Sequence, residues 1–166
     1  MRGILSMIRR VLINSLKFQI FAVLAVLVIA ATATTSYAAG NDDDEEAEMQ
    51  ASTDYARAVT AVESGKYEKA IGLLADVLRV KPRDADALNY MGYSHRKTGK
   101  FPKAIAFYKR ALAEEPNHLG ANEYLGEAYL ETGKLPEAEQ RLARLKSACG
   151  GCEQYQDLKN AVSAYK

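Results

Sequence analysis

One interval, 34 residues long, governs what this chain can fold into. Gly65-Lys66, Gly99-Lys100 and Gly133-Lys134 recur at that spacing, and so do Ala70, Ala104 and Ala138. Pro82 and Pro116 keep the interval, Gly150 stands where a third proline would fall, and Gly92 and Gly126 keep it again, with Ala58 at the matching place in the first unit. Self-similarity at a fixed short period is the mark of a stacked repeat, in which each unit is one supersecondary motif that buries its apolar surface only against its neighbours. The units are 51–84, 85–118 and 119–152.

Within that frame each unit reads as helix A, a tight turn, helix B and a second turn. The chain has no Trp, only four Pro, and 48% hydrophobic residues, which suits helix over strand. Ile71, Leu74, Val77 and Leu78 recur at helical spacing in the first helix B, and Ile105, Tyr108, Ala111 and Leu112 in the second. Gly65, Gly99 and Gly133 are placed to end helix A in the left-handed conformation that a side chain resists. Pro102 and Pro136 fall in the first turn of helix B, where a missing N–H costs nothing, and Pro82 and Pro116 stop the chain after helix B. Gly92 and Gly126 are expected to face Ala104 and Ala138, so that paired helices approach closely.

The full set of in-phase positions resembles the tetratricopeptide-repeat family. The second unit carries it best, through Leu88, Met91-Gly92, His95, Gly99, Phe101, Ala104, Tyr108, Ala111 and Pro116. The third has Leu125-Gly126, Tyr129, Gly133, Leu135, Ala138 and Leu142; the first is the most degenerate, with Ala61 and Leu74 where aromatics are common. The resemblance covers residues 51–152. It implies an all-α fold of three helical hairpins in a right-handed superhelical array, and a non-catalytic adaptor that binds a peptide or a helix in a concave groove. In that family the groove comes mainly from helix A. Here it would be lined by Tyr55, Val59 and Val62, then Asn89, Tyr93, Arg96 and Lys97, then Glu123, Glu127 and Glu131, running from apolar through basic to acidic. Some members grip a terminal carboxylate with a basic, Asn-rich clamp. The clamp places here include Tyr55, Val59, Tyr90, Gly120 and Tyr124, none of which is Lys, Arg or Asn, so that mode of binding is not expected.

A terminal helix must cover the open edge of such an array. Residues 153–166 place Tyr155, Leu158, Val162 and Tyr165 on one helical face and are expected to be that cap. Just before it stand the only two cysteines, Cys149 and Cys152. Three readings stay open, in this order: a structural disulfide that fixes the cap, a redox-active dithiol, and metal capture. Two thiolates are too few for a structural zinc site on their own. His95 is expected to be a packed residue with one hydrogen bond, and His118 an exposed turn residue. No Ser/His/Asp set, paired catalytic carboxylates or phosphate-cradling loop is visible, so neither an enzyme nor a cofactor or metal is expected.

The N-terminal segment reads as an address. Arg2, Arg9, Arg10 and Lys17 precede an unbroken apolar run, residues 20–31, and Ser36-Tyr37-Ala38 then offers a cleavage site. That order is the one found in secretory signals, so residues 1–38 are expected to be removed on export to a bacterial periplasm. An uncleaved inner-membrane anchor is the alternative, although a spanning helix wants about 20 apolar residues. Residues 39–50 hold six acids between Asp42 and Glu48 and read as a disordered linker. Without residues 1–40 the chain has 18 basic and 21 acidic residues, a net charge near −3. A balance that small supports neither a nucleic-acid partner nor an anionic membrane surface; the expected partner is another protein or peptide.

Overall fold

The computed structural model describes residues 41–166, with side chains from Asp43 onward. Among the described residues there are seven helices and no strand: α1 (Asn41–Glu63), α2 (Tyr67–Val80), α3 (Ala85–Lys97), α4 (Phe101–Glu114), α5 (Leu119–Glu131), α6 (Leu135–Cys149) and α7 (Glu153–Tyr165). Helices α3, α5 and α7 begin at residues 85, 119 and 153, and α2, α4 and α6 at 67, 101 and 135, so the 34-residue interval is the interval of the helix starts. Residues 47–166 form one compact unit; 41–46 belong to another. The expected signal or anchor segment lies outside the described residues. No helix among those described is long and apolar enough to cross a membrane.

The A-to-B turns explain the repeating Gly-Lys pair. Gly65, Gly99 and Gly133 have φ of 68°, 75° and 74°. Each turn closes with two backbone bonds, such as Gly99 N–H to Arg96 O at 2.9 Å and Lys100 N–H to His95 O at 2.8 Å, which satisfy carbonyls that a helix end leaves open. The last residue of each unit caps the next A helix. The Asp84 carboxylate accepts from Ala87 N–H at 2.8 Å, and His118 Nδ1 accepts from Ala121 N–H at 3.1 Å. Cys152 takes the third such place, and no side-chain cap forms there because its sulfur is joined to Cys149, the last residue of α6.

The acidic stretch departs from the expected linker. Asn41 begins α1, so most of residues 39–50 is helical. Carboxylates in the first turns of a helix meet the positive end of its dipole, which offsets their mutual repulsion.

Ala70, Ala104 and Ala138 are fully buried, as are Leu74 and Tyr108, with Val77 at 1% exposure. The two repeat glycines hold different neighbours from those expected. A Cβ on Gly92 would lie 2.6 Å from the Tyr108 ring, and one on Gly126 would lie 2.5 Å from Leu158 of the cap. Bulky side chains, not alanines, fill these notches. In α7, Leu158 and Val162 are buried against the array, while Tyr165 is 48% exposed and lies off the expected apolar stripe.

Two layers result. Helices α3 and α5 touch directly, and so do α5 and α7, whereas α2 and α4, and α4 and α6, share no backbone contact. Between α4 and α6 lies an open cleft lined by Leu112, Pro116, Arg141 and Arg144. A stack that is tight in one layer and splayed in the other curves toward the tight layer. The A helices therefore form the inner face.

Candidate partner-binding face

Tyrosines run along that inner layer. Tyr55 of α1 meets Tyr90 of α3 edge-on, with centroids 6.0 Å apart. Tyr93 of α3 meets Tyr124 of α5 at 4.9 Å, and Tyr67 of α2 at 6.2 Å. All five rings are half-buried, so each offers part of its surface. Burial and the surrounding carboxylates push the Tyr124 hydroxyl up to about 12 and raise that of Tyr55 further. Both stay neutral donors across the ordinary pH range.

The charged part is arranged differently from the expected succession of apolar, basic and acidic zones. Arg96 is not a free cation: it is 9% exposed and fixed by two carboxylates. Its guanidinium reaches Glu127 at 2.7 Å and Glu131 at 3.0 Å, and lies 5.5 Å and 5.7 Å from the ring centres of Tyr93 and Tyr124. Burial opposes its charge, but Glu127, Tyr108 and Glu131 outweigh that and hold its pKa above the usual arginine value. The two zones thus neutralise each other across α3 and α5, and the pairing ties one repeat to the next. Lys97 is exposed, with Nζ 5.3 Å from the Tyr93 ring centre.

Glu123 stands apart. It is 7% exposed and has no ion-pair partner among the described residues. Burial first, then Glu127, Asp157 and Glu153, push its carboxyl up to about 7, with only Arg96 acting against them. Asn89, one interval earlier, is 6% exposed, and its Oδ1 has no hydrogen-bond partner. Val59 and Val62 are half-buried, and Val62 packs into the core of the first hairpin.

Sequence reasoning named Tyr90 and Tyr124 only as clamp places and left them out of the groove lining, although their 34-residue spacing marks them as equivalent positions. It also passed over Asp157, which repeats Glu123 at the same interval in the cap. His95 is packed, as expected, whereas His118 is not the exposed turn residue expected. His118 is a helix cap with an 11% exposed side chain, and its Nε2 lies 3.0 Å from Asp86 Oδ1. His95 stacks on Phe107 at 5.4 Å, its Nδ1 is unpaired, and burial followed by Lys103 and Lys100 lowers its pKa. Cys149 and Cys152 are joined as a disulfide. Among the described residues no group of three or more His, Cys, Asp or Glu is placed to hold a metal ion.

Two family models, each described as tetratricopeptide repeat, match residues 55–118 and 95–162. Residues 55–162 of this chain belong to the tetratricopeptide-repeat family. No curated protein matches the sequence. Among solved structures, the second such domain of human RPAP3 in complex with an HSP70 peptide is similar at 23% identity and a TM-score of 0.65, over 72% of this chain and 97% of that one. The Yersinia enterocolitica type III secretion chaperone SycD, in complex with a peptide of the translocator YopD, is similar at 22% identity and a TM-score of 0.61, over 69% and 87%. The TPR2B domain of yeast Sti1 is similar at 16% identity and a TM-score of 0.66, over 70% and 96%. Identities this low carry the fold alone: an all-helical, right-handed superhelical array.

Proposed function

We propose that this chain is a non-catalytic adaptor that holds a segment of another protein, an extended peptide or a single helix, against its inner face. The observation that carries the reading is the tyrosine row across α1, α3 and α5, with Tyr55, Tyr90, Tyr93 and Tyr124 half-buried on one another. Rings fixed in that way offer apolar area and a hydroxyl at small entropic cost, which is what favours tyrosine at protein interfaces. The human and Yersinia structures named above each hold a peptide, which supports the same use here. The expected compartment is a bacterial periplasm or envelope surface, supported by the charged and apolar order of residues 1–38.

A photo-cross-linking residue placed at Tyr93 in the native cell should capture a discrete partner. The same residue at Lys109, exposed on α4, should not. Equal capture at both positions, or none at Tyr93, would remove the reading. Mass spectrometry of the mature protein should find Ala39 at its N-terminus; an intact N-terminus in the membrane fraction would support an anchored subunit instead.

A further inference from the structure

We infer that the cleft between α4 and α6, on the outer layer, is a second docking surface that takes an acidic segment of a partner protein, with Arg141 and Arg144 as the cations that hold its carboxylates. The inference does not depend on the inner-face reading above.

Comparison of successive repeats locates the site. Leu88 of α3 and Phe107 of α4 belong to one apolar cluster. One interval later the same two places hold Asn122 and Arg141. Asn122 is fully buried. Its Nδ2 donates to Pro116 O at 3.2 Å and to His118 O at 3.0 Å, and its Oδ1 accepts from Arg141 at 3.3 Å. An amide and a guanidinium thus stand where an aliphatic side chain and a ring stand one repeat earlier. The apolar pair would avoid the cost of taking a polar group out of water. What the exchange supplies is an arginine oriented by a neutral partner, which leaves its charge uncancelled.

Arg144 departs from its counterpart in the same way. Arg110, one interval earlier, lies 5.3 Å from the Phe107 ring centre and donates to Pro82 O at 3.3 Å. Arg144 has Arg141 at the place of that ring, and Pro116 O is already taken by Asn122. Among the described residues neither Arg141 nor Arg144 forms an ion pair. They stand one helical turn apart on α6. With Leu112, Pro116, Gln140 and Ser147 they line an open cleft of about 440 Å³, and no carboxylate lines it. Two guanidinium groups beside the apolar surface of Leu112 and Pro116 fit carboxylates carried between apolar side chains, each held by two parallel N–H donors. Two cations are too few for a nucleic acid or an anionic membrane, and from residue 41 onward the chain's net charge is near −3.

Fluorescence anisotropy with the full chain tests this. The probe is a short labelled peptide of leucine and alanine with two glutamates, compared with its glutamine counterpart. The glutamate peptide should bind roughly tenfold more tightly, and added salt should weaken it. Arg144→Gln, at an exposed position, should weaken that binding roughly tenfold, whereas Lys69→Gln, exposed on α2, should not. Asn122→Leu combined with Arg141→Phe restores the pair of the preceding repeat; it should keep the helical circular dichroism spectrum and abolish binding. Equal binding of the two peptides, or wild-type affinity in Arg144→Gln, would overturn the inference. Loss of binding in Tyr93→Ala but not in Arg144→Gln would overturn it by moving the peptide to the inner face. Displacement by an equal concentration of inorganic phosphate would overturn it in favour of small anions, and self-association of the chain that Arg144→Gln abolishes, in favour of a second copy. The cross-link at Tyr93 is read separately, so either reading can fail without the other.

Discussion

At the scale of single residues, the repeat glycines divide by what they do. Gly99 is needed for its φ of 75°, with open space where a Cβ would stand. Gly92 is needed for the space itself, because the Tyr108 ring fills it and is fully buried. Gly92→Ala should therefore destabilise the protein by about 1–3 kcal/mol through overpacking, read as a lower urea midpoint at an unchanged slope. Glu123 gives a second residue-scale prediction. Its folded pKa of about 7 lies above the usual carboxylate value, because burial and its acidic neighbours disfavour ionisation. The stability it contributes is fully present below the unfolded pKa, near 4.5, and is lost as pH rises through about 7. Glu123→Gln should leave the melting temperature unchanged near pH 4 and raise it at pH 8, by an amount equivalent to about 1–3 kcal/mol. A variant that melts below the wild type at pH 8 would contradict the assignment.

At the scale of elements, the caps show how one interval supports different chemistry. Asp84, His118 and Cys152 close three successive units and stand at the N-terminus of three successive A helices. The first two use a side-chain acceptor, and the third uses a covalent bond back to Cys149 at the end of α6. The bond fixes the angle at which the cap helix leaves the array. Closing so short a loop stabilises a chain by about 2 kcal/mol in the loop-entropy model. Reduction, or Cys149→Ser with Cys152→Ser, should lower the melting temperature correspondingly without loss of helix. Thiol titration of unreduced protein should find no free thiol; two reactive thiols would favour the redox reading.

At the scale of the whole molecule, stability is shared between neighbours. Helix α5 is packed by α4 and α6 and also touches α3 and α7, which is why Asn122 and Glu123 are buried beside Leu125 and Leu130. Leu158 closes the last open notch by filling the space over Gly126. Leu158→Ala should cost about 2–5 kcal/mol and loosen the third hairpin first, seen as faster amide exchange in α5 and α6 than in α2. Uniform loss of protection would mean that the array unfolds only as a unit.

The repeat frame, the turns and the need for a cap were legible in the chain, but the start of α1 inside the acidic stretch was not. They depend on local chemistry repeated in phase: a glycine wherever φ turns positive, a proline wherever an N–H is dispensable, an apolar stripe at helical spacing. The fates of individual inner-face residues were not legible. Arg96, Lys97, Glu127 and Glu131 have the same kinds of charge on paper, but Arg96 is enclosed between two carboxylates and two rings while Lys97 stays in water. Which charges cancel, and which carboxylate is left without a partner, depends on distances between helices one repeat apart. Stacking sets those distances, and no local stretch of sequence encodes them.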